Sequence, residues 1–298
     1  MRRRLPKSVL AVAAVACVTL PLGGCAAEVH GAPPAAPHPA APVGTPEAPP
    51  ALPQRAPFEG LDARLRQAAA EASEAGATAE VVVLDRTTGQ VVANGGDAPF
   101  PIASVVKLFI ADDLLMREPD LSPADRASLD TMLRSSDDSA AQQFWDRSGQ
   151  TDVISRIVDR YGLSGTIPPY RDGKWDVTQS TARDLVRYYD MLLNGSGGLP
   201  PEKAEIILDN LARFTPTGLD GYPQRFGIPD GLPADTVAVK QGWFCCWNGG
   251  NQLHVSTGTV GADRRYVMAI AALQPTDEAT ARATVTQVVK TMFPEGRI

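Results

Sequence analysis

PIASVVKLFIADDLLM, residues 101–116, sets a serine and a lysine three positions apart at the head of an apolar stretch of helical length. We read Ser104–Met116 as one helix, entered just after Pro101. Residues three apart share a helix face, with Cβ atoms roughly 5–6 Å from one another. Ser104 can therefore hand its proton to Lys107, provided that lysine is neutral. A free lysine ionises near pH ~10.4, so the surroundings must desolvate it or add a second cation. The helix N-terminus also favours negative charge developing beside the serine. A serine at a helix start is often only a cap, so the pair takes its meaning from its company.

Ser136-Asp137-Asp138 follows Ser104 by 32 residues, and Lys240-Gln241-Gly242 follows Ser136 by 104. The three motifs fall on a helix, a loop and a strand in turn. Ahead of them, Leu61, Leu65, Ala68, Ala69 and Ala72 recur at helical spacing up to Gly76. Glu80–Asp85 (EVVVLD) reads as a buried strand, Thr87-Thr88-Gly89-Gln90 as a turn, and Val91–Asn94 as the second arm of a hairpin. Helices are predicted at Ser122–Arg134, with Ser122 as N-cap and Pro123 in the first turn, and at Thr151–Tyr161, Ser180–Leu193 and Pro201–Arg213. Strands return at Thr236–Phe244, Gln252–Val260 and Arg265–Leu273, before a closing amphipathic helix over Thr276–Phe293. Short connections favour an antiparallel sheet interrupted by a helical lobe over about residues 104–233.

This trio, S-x-x-K, S-D-N-like and K-T-G-like in that chain order, resembles the class A β-lactamase and penicillin-binding serine hydrolase superfamily. The likeness spans about residues 58–298. More narrowly, the chain looks like the alanine-rich lipoproteins of mycobacterium-like bacteria that carry such a domain. The resemblance implies an α/β (α+β) fold: a five-stranded antiparallel sheet flanked by the terminal helices, with the helical lobe inserted. It makes Ser104 the acyl-accepting nucleophile and Lys107 its base. Ser136 would relay a proton to the leaving nitrogen, and Lys240 would set the local potential and help hold a substrate carboxylate. Asp138, Gln241, Gly242 and Trp243 would contact substrate. The N–H groups of Ser104 and of the residue after Gly242 would form the oxyanion hole. Arg225, 15 residues before Lys240, stands where some relatives place an arginine for the carboxylate. The implied ligand is a peptidoglycan stem peptide or a β-lactam, with no cofactor and no metal.

Three departures from that pattern bear on activity. The asparagine of S-D-N is Asp138, which accepts but cannot donate when ionised, and which near Lys107 would favour the ammonium form. The threonine of K-T-G is Gln241, longer but still a donor. The loop where class A enzymes carry a deacylating glutamate, Leu163–Thr178 (LSGTIPPYRDGKWDVT), holds only Asp172 and Asp176 as acids. Two readings therefore stand together: an acyl-serine enzyme slow to release its product, and a degenerate relative that binds wall peptide or a protein partner.

Composition narrows the alternatives. Five bases and two acids lie in residues 1–57, so the remainder carries 23 bases against 32 acids, a net of −9. An acidic body without a basic stripe offers no footprint for nucleic acid. His30 and His38 sit in a Pro/Ala tract, leaving His254 as the single histidine for any histidine-based chemistry. Met1–Lys7 carries four positive side chains, Val9–Leu22 is apolar, and Leu22-Gly23-Gly24-Cys25 resembles a bacterial lipobox. We expect a signal peptide over 1–24, lipidation at Cys25, and a membrane-anchored protein on the outer face of the cytoplasmic membrane. Residues 26–57, with ten Pro and ten Ala, read as a semi-rigid spacer reaching up to roughly 100 Å. Cys245-Cys246 leaves two states open: free thiols, or a strained bridge in an oxidising compartment.

Overall fold

The computed structural model describes residues 58–298, Asp172 apart. The expected leader, Cys25 and the Pro/Ala tract lie outside the described residues. In chain order the elements are α1 (Leu61–Glu74), β1 (Thr78–Asp85), β2 (Gln90–Asn94), β3 (Phe100–Pro101), α2 (Lys107–Arg117), α3 (Pro123–Arg134), α4 (Asp138–Arg147) and α5 (Thr151–Tyr161). Then come β4 (Gln179–Ser180), α6 (Ala182–Asn194), α7 (Pro201–Ala212), α8 (Ile228–Gly231), β5 (Val237–Trp247), β6 (Asn251–Val260), β7 (Tyr266–Gln274) and α9 (Glu278–Met292).

Five strands pair antiparallel in the order β2-β1-β7-β6-β5, so the strand carrying Lys240 is an edge. Residues 81–84 of β1 are an unbroken apolar run because both faces of the strand are covered there. Val81 and Val83 pack with Met268 and Ile270 beneath α1 and α9, against Leu61, Leu65, Val285 and Val289. Val82 alternates to the opposite face with Ala269 and Ala271, where the helical lobe packs through Val105, Phe109, Leu185 and Tyr189. The antiparallel sheet, its terminal helices and the inserted lobe are thus all present. In the lobe, buried Asp112 is held by Arg160 and by the Tyr161 and Tyr188 hydroxyls.

Local signals hold where capping chemistry is explicit. The Ser122 hydroxyl accepts from the Asp125 N–H at 3.1 Å, and Gly162 closes α5 in the left-handed region at φ 60°. Two local expectations change. Residues 104–116 do not form one helix: Ala103–Val106 is a 3-10 turn, and the α-helix starts only at Lys107. The Ser-Asp-Asp motif is not merely a loop either. Asp137 caps α4 by accepting from the N–H groups of Ser139 (2.8 Å) and Ala140 (3.2 Å), and Asp138 is the first helical residue.

Candidate active site

The 3-10 turn is what brings the serine and lysine together. With about three residues per turn, positions i and i+3 eclipse rather than fan apart. Ser104 accordingly stacks over Lys107, with Lys107 Nζ 2.8 Å from Ser104 Oγ. Two residues with left-handed backbone flank the pair, Ala103 (φ 45°) and Ser136 (φ 58°). This conformation is costly without glycine and recurs where a site demands it. At Ser136 it turns both the carbonyl oxygen (2.8 Å) and the hydroxyl (3.1 Å) toward Lys107 Nζ. Lys240, on β5, reaches the same hydroxyl from the other side at 2.9 Å. All four motif residues therefore converge, and Ser136 lies between the two lysines.

Lys107 is fully buried, and four acceptors surround its nitrogen, the fourth being Asp138 Oδ1 at 2.6 Å. An ammonium can engage three of the four with its protons, as many as a neutral amine engages with two protons and its lone pair. A neutral amine gives two, to the Ser136 carbonyl and to Asp138, and keeps a lone pair for a hydroxyl proton. That arrangement is general-base geometry toward Ser104. Burial pushes the Lys107 ionisation below its ordinary range, while the Asp138, Asp220 and Asp137 carboxylates pull it back up. Burial also holds Lys240 well below its ordinary range, and the neighbouring Lys107 charge adds to the effect. The Trp175 ring covers Lys107, its centroid 4.8 Å from Nζ, and Trp175 Nε1 donates to Gln142 Oε1 at 3.1 Å.

A cleft of about 250 Å³ opens onto Ser104, lined among others by Asp138, Gln142, Trp175, Asp176, Asp220 and Trp243. Gly242 lets β5 approach the turn: a Cβ there would sit 2.6 Å from the Ile102 carbonyl oxygen. Trp243 stacks on Tyr222, with ring centroids 4.6 Å apart.

Two expected substrate contacts are corrected. Gln241 follows Lys240 on a strand, so its side chain passes to the opposite face. There it is buried, and its amide donates to the carbonyls of Phe226 (2.6 Å) and Gln224 (3.1 Å). Arg225 lies between the buried Gln224 and Phe226 and points outward, to Asp230 and the Pro229 carbonyl, away from the cleft lining. His254 does not meet Ser104. It is buried on β6, with Nε2 2.6 Å from the Tyr222 hydroxyl, and burial with help from Arg282 lowers its ionisation to about 4. Cys245 and Cys246 are joined as a disulfide near the tip of the β5–β6 hairpin. Asp176 does line the cleft, whereas Asp172 is outside the described residues.

Asp220 and Gln142 were not anticipated from sequence. Asp220 sits on an irregular loop with no motif around it, and only its negative charge could have drawn attention. Gln142 falls one turn after Asp138 on α4, and recognising that helix would have placed it on the same face.

The comparisons with known proteins agree with this geometry. Residues 122–294 match the model of the beta-lactamase enzyme family. Proteins of Mycobacterium tuberculosis and Mycobacterium bovis carrying the name "Putative lipoprotein LppW" are 57% identical over 258 residues, spanning 85% of this chain and 82% of theirs. Among solved structures, a class A beta-lactamase from Mycobacterium abscessus superposes with a TM-score of 0.63 at 21% identity, over 78% of this chain and 98% of that one. The structure titled PBP-A gives 0.64 at 19% identity, over 82% and 98%. The solved structures share the fold; the family match and the 57%-identical relatives settle the kinship, and the chain belongs to the beta-lactamase enzyme family.

Proposed function

We propose that this chain is a lipid-anchored envelope protein whose Ser104 accepts an acyl group from a β-lactam or D-alanyl peptide and gives it up slowly. One observation carries the reading: Lys107 Nζ lies 2.8 Å from Ser104 Oγ inside a buried site that disfavours its charge. In the step envisaged, Ser104 Oγ bonds to the acyl carbon and its proton passes to the neutral Lys107 amine. The C–N bond then breaks, and the leaving nitrogen takes the Ser136 hydroxyl proton, which is replaced from Lys107 or Lys240. The backbone N–H groups of Ser104 and Trp243 are the donors proposed for the oxyanion. Release needs a water and its own base. The loop offers Asp176 at the cleft but no glutamate, which supports a long-lived acyl-enzyme.

The test is mass spectrometry of residues 58–298 after incubation with a penicillin. We expect one covalent adduct at Ser104, absent in Ser104→Ala; an adduct that persists in the mutant would place the chemistry elsewhere. A binding-only role is the second reading, favoured by the Asp138 carboxylate 2.6 Å from Lys107 Nζ, and an unlabelled wild type at high probe concentration would select it. The lipobox-like segment and the lipoprotein name of the relatives support an anchor at Cys25 and a place on the outer face of the membrane. Cys25→Ala is expected to leave the protein unlipidated and out of the membrane fraction.

A further inference from the structure

Water reaches the edge of the Lys107 site and stops there. The Asp138 side chain is 69% exposed and its Oδ1 lies 2.6 Å from Lys107 Nζ, yet Lys107 itself has no exposed surface. Ser104, Asp138, Gln142 and Trp175 line the cleft, with Lys107 behind them. Ser104 and Asp138 meet the lysine nitrogen through polar atoms that water also solvates. Trp175 meets it with a ring, its centroid 4.8 Å away. An indole has one N–H to donate and no strong acceptor, so its face fills the space beside Nζ without joining the proton transfers.

That ring is held at both ends. Its backbone opens a short 3-10 turn, Trp175–Val177, and the following Thr178 carbonyl accepts from the Ile102 N–H at 2.9 Å, next to the turn that carries Ser104. At the far end Trp175 Nε1 donates to Gln142 Oε1 at 3.1 Å. Gln142 in turn gives its amide N–H to Asp146 Oδ1, one turn along α4, at 3.0 Å, which aims the amide oxygen at the indole.

We infer that Trp175, latched to Gln142, is a cover that bars water from Lys107 and so withholds this lysine as a base for releasing an acyl group from Ser104. The cover stands without any acyl chemistry; its effect on release rests on the proposed use of Ser104. In that release a water oxygen bonds to the acyl carbon while the water proton passes to the Lys107 amine. The bond from the carbon to Ser104 Oγ breaks, and Oγ takes the proton back from Lys107. With Nζ 2.8 Å from Oγ, the lysine is placed for both transfers once a water can stand beside it. The loop without a glutamate leaves out one base, and Trp175 shields the base that remains.

The experiment uses cyanate, a small reagent that adds across its C=N bond to an uncharged amine, on the full chain. Peptide mass spectrometry reads the modification of Lys107, with the equally buried Lys240 as reference. Lys107 should react at least about tenfold faster in Trp175→Ala than in the wild type, while Lys240 stays protected. Gln142→Ala and Trp175→Phe lose the latch but keep a ring, and both should show a smaller rise. With Ser104 carrying a penicillin-derived acyl group, Trp175→Ala should shed it at least about tenfold faster, within the roughly 10²–10⁴-fold that a placed base supplies, and faster still as pH rises. Equal reaction of Lys107 in wild type and Trp175→Ala would overturn the inference. So would an equal gain at Lys240, which would mark Trp175 as a packing residue only. Should Trp175→Ala fail to fold, no gain in either latch variant would overturn it as well. An unchanged adduct lifetime with Lys107 laid open would remove the effect on release and leave Ser104 the acyl acceptor. If penicillin never labels Ser104, the proposed function falls, and the cyanate contrast still decides the cover.

Discussion

Asp138→Asn isolates the effect of one charge on the lysine base. The substitution keeps the size of the side chain and an oxygen for Lys107 to donate to, and removes the carboxylate 2.6 Å from Nζ. Full Coulombic attraction at that distance is not available, because the Asp138 side chain is 69% exposed and screened by solvent while Lys107 is sealed. We therefore take about 1 kcal/mol, the upper end for exposed pairs. That amount changes the ratio of neutral to charged Lys107 by roughly fivefold. The sign follows directly: a neighbouring anion favours the ammonium, so its loss frees more amine at any pH below the lysine's titration. Acylation of Ser104 by one β-lactam, timed by mass spectrometry, should be about fivefold faster in Asp138→Asn, while the lifetime of the adduct stays the same. NMR of isotope-labelled lysine should show Lys107 titrating at lower pH, a readout independent of turnover. Unchanged or slower acylation together with an unmoved titration would refute the reasoning. Fast multiple turnover by the wild type would also count against it, since release would then have a working base.

Three further outcomes follow from the packing. Gly242→Ala drives a methyl group into the Ile102 carbonyl oxygen; overpacking of this kind costs about 1–3 kcal/mol, and we expect a lower Tm and at least about tenfold weaker Ser104 labelling. Asp85, paired with Arg265 at 2.6 Å, ionises at about 2 against an ordinary 3.8, so its contribution is present above pH 3.8 and is lost as pH falls toward 2. Denaturant titrations at pH 7 should show Asp85→Asn weaker by on the order of 2 kcal/mol, with the difference closing in acid. His254 is neutral in the fold down to about pH 4 but charges near 6.5 when unfolded, so it contributes stability above 6.5 that is lost as pH drops to about 4; its NMR titration midpoint should lie near the lower figure.

The parts of the fold that were legible are those where one-dimensional signals are chemically unambiguous. EVVVLD gives a doubly covered strand, Ser122-Pro123 a helix start, and Tyr161-Gly162 a helix stop. Helix α4 escaped because its opening residues belong to a motif associated with a loop. Its buried set, Ala140, Ala141, Phe144 and Trp145, is nonetheless a helical stripe. The two-residue alternation of a strand already implied that Gln241 faces away from Lys240, and applying it would have removed Gln241 from the ligand contacts. The acid on the loop at Asp220 had no comparable signal, since it reaches the cleft through tertiary placement alone. The four central residues were readable because their spacing and chain order together are restrictive, while the 3-10 pitch that aligns two of them was not.

The pairing of β1 with β7, which sets Thr78 opposite Leu273, has a kinetic consequence. The middle of the sheet cannot close until nearly the whole chain is available, because its first strand waits for its last. Closing so long a loop costs entropy before any contact offsets it, and topologies of this kind fold slowly. Helices of the lobe can form early from local contacts, yet Ser136 meets Lys240 only after β5 has docked beside the 3-10 turn. A ribosome-bound or truncated chain therefore holds the nucleophile without its surroundings. Under the export proposed above, that delay would keep the chain threadable and postpone reactivity until the journey is over.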